Sequence, residues 1–520
     1  MPRNDISALV EQAAADVPDR QALVESGGRS LTWAGLEDEV GRLATGLGAH
    51  GVRAGQRVMI VVGNRIEFVT TYLAVLRAQV VAVPVDPRST ADEVARMLAD
   101  SGSRLVVVDE TALDVVRAAL AGLDEAAPSP AVVVTGTEPG TGELALDALR
   151  ADVVRPVPPL PDPEKLAALL YTSGTSDRPR AAMLTHRALL ANIEQVAAVE
   201  PPMMHGDDVV LGVLPLHHVY GLNAVLGGVL RHRARLLLVE RYEPQAVLDL
   251  IDDEACSVVP ITPPVLTHWL PDEHLRERLG PVRLVLSGSA PLAPEVVDRF
   301  TGITGIPVHQ GYGLTEAAPV VTSTLCSQDP RAGSVGAALP GIELRLVDET
   351  GGPVDGEDPG QIQVRGDNLF SGYWPDAADG PDDEGWFGTG DVGFLDASGD
   401  LFLLDPVREL VVVSGFNVYP SEVEEVLREV EGVAEAAVIG VPDEETGAAV
   451  VAYVVADRGA RDAGPHLAEA VRSHAEDRLA RFKQPARIEV VDELPLTATG
   501  RVQKGSLRRM ERRRVQELLG

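Results

Sequence analysis

Hydroxyl and small side chains crowd one stretch, Leu169-Leu170-Tyr171-Thr172-Ser173-Gly174-Thr175-Ser176-Asp177-Arg178-Pro179-Arg180-Ala181-Ala182, between a buried-strand pattern and a helix beginning near Thr185-His186. Donors in such a loop can wrap phosphate oxygens. No Gly-Lys-Ser/Thr closes it at the spacing of a Walker loop, and taken alone the same residues also fit a polar turn. A second stretch, Gln310-Gly311-Tyr312-Gly313-Leu314-Thr315-Glu316, offers an aromatic face, two glycines that let backbone approach a ligand, and a hydroxyl beside a carboxylate. A nucleotide can use all four. A third, Gly385-Trp386-Phe387-Gly388-Thr389-Gly390-Asp391, places a carboxylate on a glycine-flanked turn suited to accepting both hydroxyls of a ribose.

The elements that position these stretches follow from pattern. Residues 5 to 150 alternate helix-like stretches (Ile6 to Ala15, Trp33 to His50) with short apolar runs (Arg57 to Val62, Val80 to Val85, Leu105 to Val108), which predicts α/β layers. The proline-rich Arg155 to Pro163 reads as a linker or a surface crossing. A second α/β section follows, with strands expected at Val209 to Leu214, Arg235 to Val239, Ser257 to Ile261 and Arg283 to Ser287. From Gly333 to Leu404, short alternating runs such as Glu343 to Val347, Gln361 to Arg365 and Asp400 to Leu404 predict a small β subdomain. Beyond Asp405 the chain returns to mixed α/β, with Ser421 and Glu424 spaced as a capping box for a helix from Val423 to Val430.

Composition narrows the partners. At 520 residues the chain exceeds one hydrophobic core, so several domains are expected. A net charge of -33 repels phosphate backbones and anionic membranes, which excludes nucleic acid as a partner; the C-terminal Arg508, Arg509, Arg512, Arg513 and Arg514 read as the solvated face of a terminal helix. Cys256 and Cys326 have neither disulfide-framework nor zinc spacing, and no apolar stretch is long enough to span a bilayer, so a cytoplasmic protein without integral membrane association is expected. Lys165, Lys483 and Lys504 are the only lysines among 45 basic residues, so positive charge is nearly all arginine.

The three stretches, together with Pro215-Leu216-His217-His218, Ser287-Gly288-Ser289-Ala290-Pro291, Val413-Ser414-Gly415-Phe416-Asn417-Val418-Tyr419-Pro420-Ser421-Glu422-Val423-Glu424 and Pro495-Leu496-Thr497-Ala498-Thr499-Gly500-Arg501, stand in the order and spacing of known motifs. Over about residues 8 to 510 the chain resembles the adenylate-forming (AMP-binding) superfamily, and within it the fatty acyl-CoA ligases. The resemblance implies a large N-terminal domain (residues 1–404) of two doubly wound α/β subdomains plus a small β subdomain. It also implies a hinge at 405–408, with Arg408 at the pivot, and a smaller mobile α+β lid (409–520). The implied reaction uses ATP, Mg2+ and CoA: a carboxylate attacks the α-phosphate to give acyl-AMP, and a thiol then displaces AMP. Carried over by position, Thr172, Ser173, Thr175 and Ser176 would hold the β- and γ-phosphates, Tyr312 the adenine, Asp391 the ribose, Thr315 the α-phosphate and Glu316 the magnesium. His218 would stand at the mouth of the acyl pocket, with Ser289 and Gly313 along its wall. Gly174, Arg180, Gln310, Gly311 and Gly415 complete the binding set, and Arg501 occupies the position of the adenylating lysine.

Four positions depart from the family pattern: Asp177 for a glycine, Arg180 for a lysine, Ala181 for a glycine and Pro406 for an arginine that helps hold the ribose. A fifth is Arg501 itself, whose planar fork is wider and less adaptable than an ammonium; a weakened transition-state contact there predicts a loss of roughly 3 kcal/mol, or about a hundredfold in rate. The lysine-poor composition offers a second explanation for Arg180 and Arg501, but not for Pro406 or Asp177. The alternatives to CoA ligation are transfer to an acyl carrier protein or another nucleophile, and a nucleotide- or acyl-binding protein impaired in adenylation.

Overall fold

In the strand Arg57–Val61, Val58 and Ile60 enter one apolar cluster while Met59 and Val61 enter another, the period-two signature of a strand buried on both faces. The same division holds in Val209–Gly212, where Val210 and Leu211 part company. Parallel sheets must be covered on both sides, and the helical segments between strands supply the cover. The computed structural model describes residues 5–123, 129–158, 160–172, 180–290, 292–348, 351–354, 358–405, 411–414, 416–443, 445–457 and 464–495, with residues 502, 504, 507, 508, 510, 511 and 514. These fall in two compact units, one of the described residues up to Tyr171 and from Ala181 to Asp405, the other of those from Val411 onward, with Thr172 and Arg180 grouped with the latter.

The first unit holds two seven-stranded sheets. One runs in the order Leu144–Ala145, Ala131–Thr135, Leu105–Asp109, Arg57–Val61, Val81–Pro84, Leu166–Thr172, Arg180–Thr185. The other runs Val308–Gln310, Leu284–Ser287, Val258–Ile261, Val209–Gly212, Arg235–Leu238, Gln21–Glu25, Ser30–Thr32, and is parallel except for its last strand. Helices Trp33–Ala49, Ile66–Arg77 and His186–Ala197, with a π-helix at Tyr220–Gly227, bury Leu36, Tyr72, Leu189 and Leu226 in a core shared by both sheets. A four-stranded antiparallel sheet of Glu343–Val347, Gly360–Arg365, Phe387–Leu395 and Leu401–Asp405 completes the unit. The second unit has Val433–Asp443 antiparallel to Gly447–Ala456, Arg487–Val491 parallel to the latter, and helices Pro420–Arg428 and Gly464–Arg478. The doubly wound sheets, small β subdomain and separate α+β C-terminal unit are those expected.

Three local expectations are narrowed or corrected. The proline-rich stretch is a surface crossing and not a linker, because the strands on either side of it, Leu144–Ala145 and Leu166–Thr172, belong to one sheet. The helix expected from Val423 opens at Pro420, with Tyr419 as an N-cap that makes no side-chain cap bond. Proline at the first helical position needs no N–H there, and the Glu424 carboxylate instead accepts the Val438 N–H at 2.7 Å. A true capping box occurs at Thr90 and Glu93, opening the helix Ala91–Ser101. The third correction concerns Asp391, taken up below.

Candidate active site

Gln310 ends the strand Val308–Gln310, and Ser289 and His218 follow the carboxyl ends of two more strands of that sheet, Leu284–Ser287 and Val209–Gly212. In open parallel sheets that edge is where ligands bind. Beyond Gln310 the chain doubles back on itself: the Gln310 N–H donates to Thr324 Oγ1 at 3.0 Å, Tyr312 N–H to Thr322 Oγ1 at 3.2 Å, and Leu314 N–H to the Pro319 carbonyl at 3.0 Å. The approach is so close that a Cβ on Gly311 would stand 2.7 Å from the Thr322 carbonyl oxygen, and one on Gly313 2.3 Å from that of Pro319. Both glycines of the motif are thus required by packing.

Tyr312 and Asp391, distant in sequence, meet through a 2.6 Å hydrogen bond from the phenol to Asp391 Oδ2. Asp391 was expected on a turn; it lies inside the strand Phe387–Leu395. Gly390, at φ +79°, and a register shift opposite Gln361/Gln363 bulge that strand, which re-aims the carboxylate without ending the pairing. Thr389 Oγ1 donates to the Ile362 carbonyl and accepts the Asp391 N–H, both at 3.1 Å, so the bulge is held from two sides.

Thr315 and Glu316 open a short 3-10 turn, and Glu316 is fully buried. Its carboxylate accepts the Tyr373 hydroxyl, and its carbonyl accepts the Phe370 N–H at 2.9 Å. The Tyr373 segment in turn pairs with the strand Arg180–Thr185 that follows the hydroxyl-rich loop: Met183 and Gly372, Ser371 and Met183, and Trp374 and Ala181 exchange backbone bonds of 2.8–3.0 Å. On the other side of that loop, Tyr171 donates to Asp100 Oδ2 at 2.7 Å and Thr172 ends the preceding strand. Arg180 opens the strand beyond the loop. Tyr373 therefore ties the carboxylate of one motif to the strand of another.

His218 follows a loop pinned by buried Asn64, which donates to the Gly212 and Leu214 carbonyls at 3.1 and 2.9 Å and accepts the Leu216 N–H at 2.9 Å. Its Nδ1 accepts the Tyr220 N–H at 3.4 Å, which assigns the ring proton to Nε2. Burial, aided by neighbouring His217, pushes its pKa down to about 4. His217 is also lowered by burial, against the pull of Asp86 at 3.5 Å. The Tyr220 ring lies where a Cβ on Gly288 would come within 3.2 Å, linking the His218 segment to that of Ser289, which sits at φ +71°.

His186, at the start of its helix, is likewise pushed by burial to about 4. Groups whose folded pKa lies below the unfolded value bind a proton on unfolding, so their stabilising contribution is complete above pH 6.5 and fades as pH falls toward 4. The denaturation midpoint is expected to drop steadily from pH 6.5 to 4.5; a flat profile over that window contradicts buried neutral histidines.

Among the described residues no group of three His, Cys, Asp or Glu side chains forms a metal cage. Glu316 nevertheless suits magnesium, which is commonly held by one or two carboxylates together with substrate phosphates and water. Ser173, Gly174, Thr175, Ser176, Asp177, Pro406, Arg408, Gly415 and Arg501 lie outside the described residues, as do Arg509, Arg512 and Arg513; Arg514 pairs with Glu489. Asn64, Tyr373 and three further buried asparagines had no motif to announce them: the asparagines hold main-chain atoms far away in sequence, and Tyr373 holds the Glu316 carboxylate, 57 positions away.

Paired doubly wound sheets with a doubled-back Tyr-Thr-Glu segment at their strand ends are the build of the adenylate-forming enzymes. The chain belongs to the AMP-binding enzyme family, whose model matches residues 10–374, and the model of the AMP-binding enzyme C-terminal domain matches residues 422–501. It is 32% identical to 4-coumarate--CoA ligase-like 9 of Oryza sativa subsp. japonica over 97% of this chain and 92% of that protein. It is 30% identical to the long-chain-fatty-acid--CoA ligase of Bacillus subtilis (strain 168), over 96% and 94%. Among solved structures, the amide bond synthetase McbA from Marinactinospora thermotolerans superposes with a TM-score of 0.83 at 27% identity, covering 97% of this chain and 99% of that one. No described helix is long and apolar enough to cross a membrane.

Proposed function

We propose that the protein activates a hydrophobic carboxylic acid, a medium- or long-chain fatty acid, with ATP to acyl-AMP and then transfers the acyl group to CoA. The observation that carries this reading is the hydrogen bond from Tyr312 to Asp391, which joins the bulged strand Phe387–Leu395 to the doubled-back segment that also holds the buried Thr315 and Glu316. In this reading Asp391, held by Tyr312, accepts the ribose hydroxyls; Thr315 donates to the α-phosphate; and the hydroxyls of Thr172 to Ser176 cradle the outer phosphates. Magnesium bound at Glu316 would neutralise phosphate charge. His218, neutral with its proton on Nε2, offers a donor on the acyl side without adding a cation. The second unit, from residue 409, acts as the lid, with 405–408 as hinge and the Gly415 loop on the thiol path. The named relatives support a CoA ligase; the likeness to an amide bond synthetase favours, as a second reading, an amine acceptor.

A pyrophosphate-release assay over saturated acids, hydroxycinnamic acids and dicarboxylates, with CoA, with amines and with neither, tests it. Acid-dependent pyrophosphate with CoA-dependent AMP release, greatest for a fatty acid, is expected. Greatest turnover on a hydroxycinnamate overturns the substrate, amine-dependent AMP release overturns the acceptor, and no turnover with any acid despite calorimetric ATP binding overturns the activity.

A further inference from the structure

The turn carrying Thr315 and Glu316 is held from behind by three side chains that belong to no motif. Asn368 Nδ2 donates to the Ala317 carbonyl, Asn223 Nδ2 to that of Ala318, and Asn192 Nδ2 to that of Val320, each at 2.7 Å. Asn192 Oδ1 also accepts the Val320 N–H at 3.0 Å, so that residue is gripped at both polar atoms. All three amides are buried, with 1%, 2% and 0% of Asn192, Asn223 and Asn368 exposed, which means that water does not substitute for them. They come from separate places: Asn192 from the helix His186–Ala197, Asn223 from the π-helix Tyr220–Gly227, and Asn368 from the loop between the strands Gly360–Arg365 and Phe387–Leu395. Gln195 joins two of them, with Asn192 Nδ2 donating to its Oε1 at 3.2 Å and its own Nε2 reaching Asn368 Oδ1 at 3.4 Å.

What these amides hold is costly backbone. Ala318 sits at φ +62°, in the left-handed region that alanine avoids. Such conformations persist where surrounding contacts over-determine them, and they cluster where geometry serves a ligand. The carbonyls of Ala317, Ala318 and Val320 all turn inward to the amides, while the Glu316 carboxylate is met by Tyr373. The chemistry of the clamp also suits its place: a carboxamide satisfies a buried carbonyl without adding charge beside Glu316. The π-helix adds a further link, since Asn223 stands five residues after His218 and also donates to the Leu189 carbonyl at 3.0 Å. π-Bulges within helices often mark functional sites.

We infer that Asn192, Asn223 and Asn368 are positioning residues that fix Thr315 and Glu316 for the α-phosphate and its magnesium, an inference that rests on the function proposed above. The test uses the full chain with Asn223→Leu and Asn368→Leu, which keep size and remove the donor, and Asn368→Gln, which restores a carboxamide. In pyrophosphate formation at saturating acid, each leucine variant is expected to lose about thirtyfold in kcat, with KM for ATP changed less than about threefold and the half-saturating Mg2+ concentration raised about tenfold; Asn368→Gln recovers at least a third of the wild-type kcat. Calorimetry with α,β-methylene-ATP provides an arm independent of turnover: the gain in affinity on adding Mg2+ is expected in the wild type and lost in the leucine variants, while binding without Mg2+ is unchanged. Unchanged kcat and Mg2+ dependence in the leucine variants overturn the inference. So does a parallel loss of kcat, ATP affinity and melting temperature that glutamine fails to restore, because that is the signature of general unfolding. A wild type that releases no pyrophosphate with any acid defeats the proposed function; the calorimetric arm then decides the positioning role, and a wild type without a Mg2+ effect overturns it.

Discussion

Glu316→Gln is expected to lower pyrophosphate formation at least a hundredfold while leaving the affinity for Mg2+-free ATP within about threefold of the wild type. The substitution is informative because it separates charge from shape. Glutamine keeps an oxygen that can accept the Tyr373 hydroxyl, and the main-chain bond from Phe370 to residue 316 does not involve the side chain. What disappears is one negative charge at a fully buried position. A hundredfold corresponds to about 2.7 kcal/mol of transition-state stabilisation, within what a metal ion near developing phosphate charge supplies. Tyr373→Phe is the complementary change: it keeps the charge and loses the hydroxyl that orients it, so a smaller fall is expected, reversed in part by raised Mg2+. Pyrophosphate release titrated against Mg2+ measures both. A Glu316→Gln enzyme with wild-type turnover and wild-type Mg2+ dependence removes the metal from this carboxylate.

The same contrast of charge and shape explains which parts of the site could be read before the fold was known. Arg57 to Val62 and Glu343 to Val347 announced themselves because burial on a strand leaves a local pattern of apolar side chains, and the strands observed differ by a residue or none. Thr315, Glu316 and Asp391 stood out as candidates because polar groups with glycine neighbours are unusual in segments that otherwise pack. The environment of each was not legible. Asp391 looked like a turn residue, since Gly388 and Gly390 precede it, but a bulge needs the same glycine conformation as a turn and only the partner strand tells them apart. Ser421 and Glu424 have capping-box spacing, yet Pro420 already opens the helix and the edge N–H of Val438 offers Glu424 a partner from another strand. Asn192, Asn223 and Asn368 were silent because each satisfies a main-chain carbonyl more than fifty residues away, and a carbonyl has no sequence.

On the function proposed above, Arg501→Ala is expected to lower adenylation about a hundredfold and to leave thioester formation from supplied acyl-AMP unchanged, because a cation that bridges carboxylate and α-phosphate would serve only the first half-reaction. Arg501→Lys is the sharper variant. Drift toward arginine, in a chain with lysine at only three of its 45 basic positions, predicts that restoring lysine raises the rate. The bias is not absolute in the second unit. Two of those three lysines are retained there: Lys483 Nζ lies 2.9 Å from Glu422 and Lys504 Nζ 2.5 Å from Glu424, with both ammonium side chains at most 16% exposed and both carboxylates at most 9%. Arginine also reaches buried carboxylates, as Arg283 does at Asp208, so burial alone does not select lysine; the guanidinium fork differs in being wider and in demanding more partners. A site fitted to the planar guanidinium predicts the opposite of drift, and Arg501→Lys is expected to fall short of the wild-type adenylation rate. Single-turnover pyrophosphate release against acyl-AMP consumption resolves the two half-reactions. A tenfold gain on restoring lysine identifies an enzyme handicapped at this position and returns drift as the explanation.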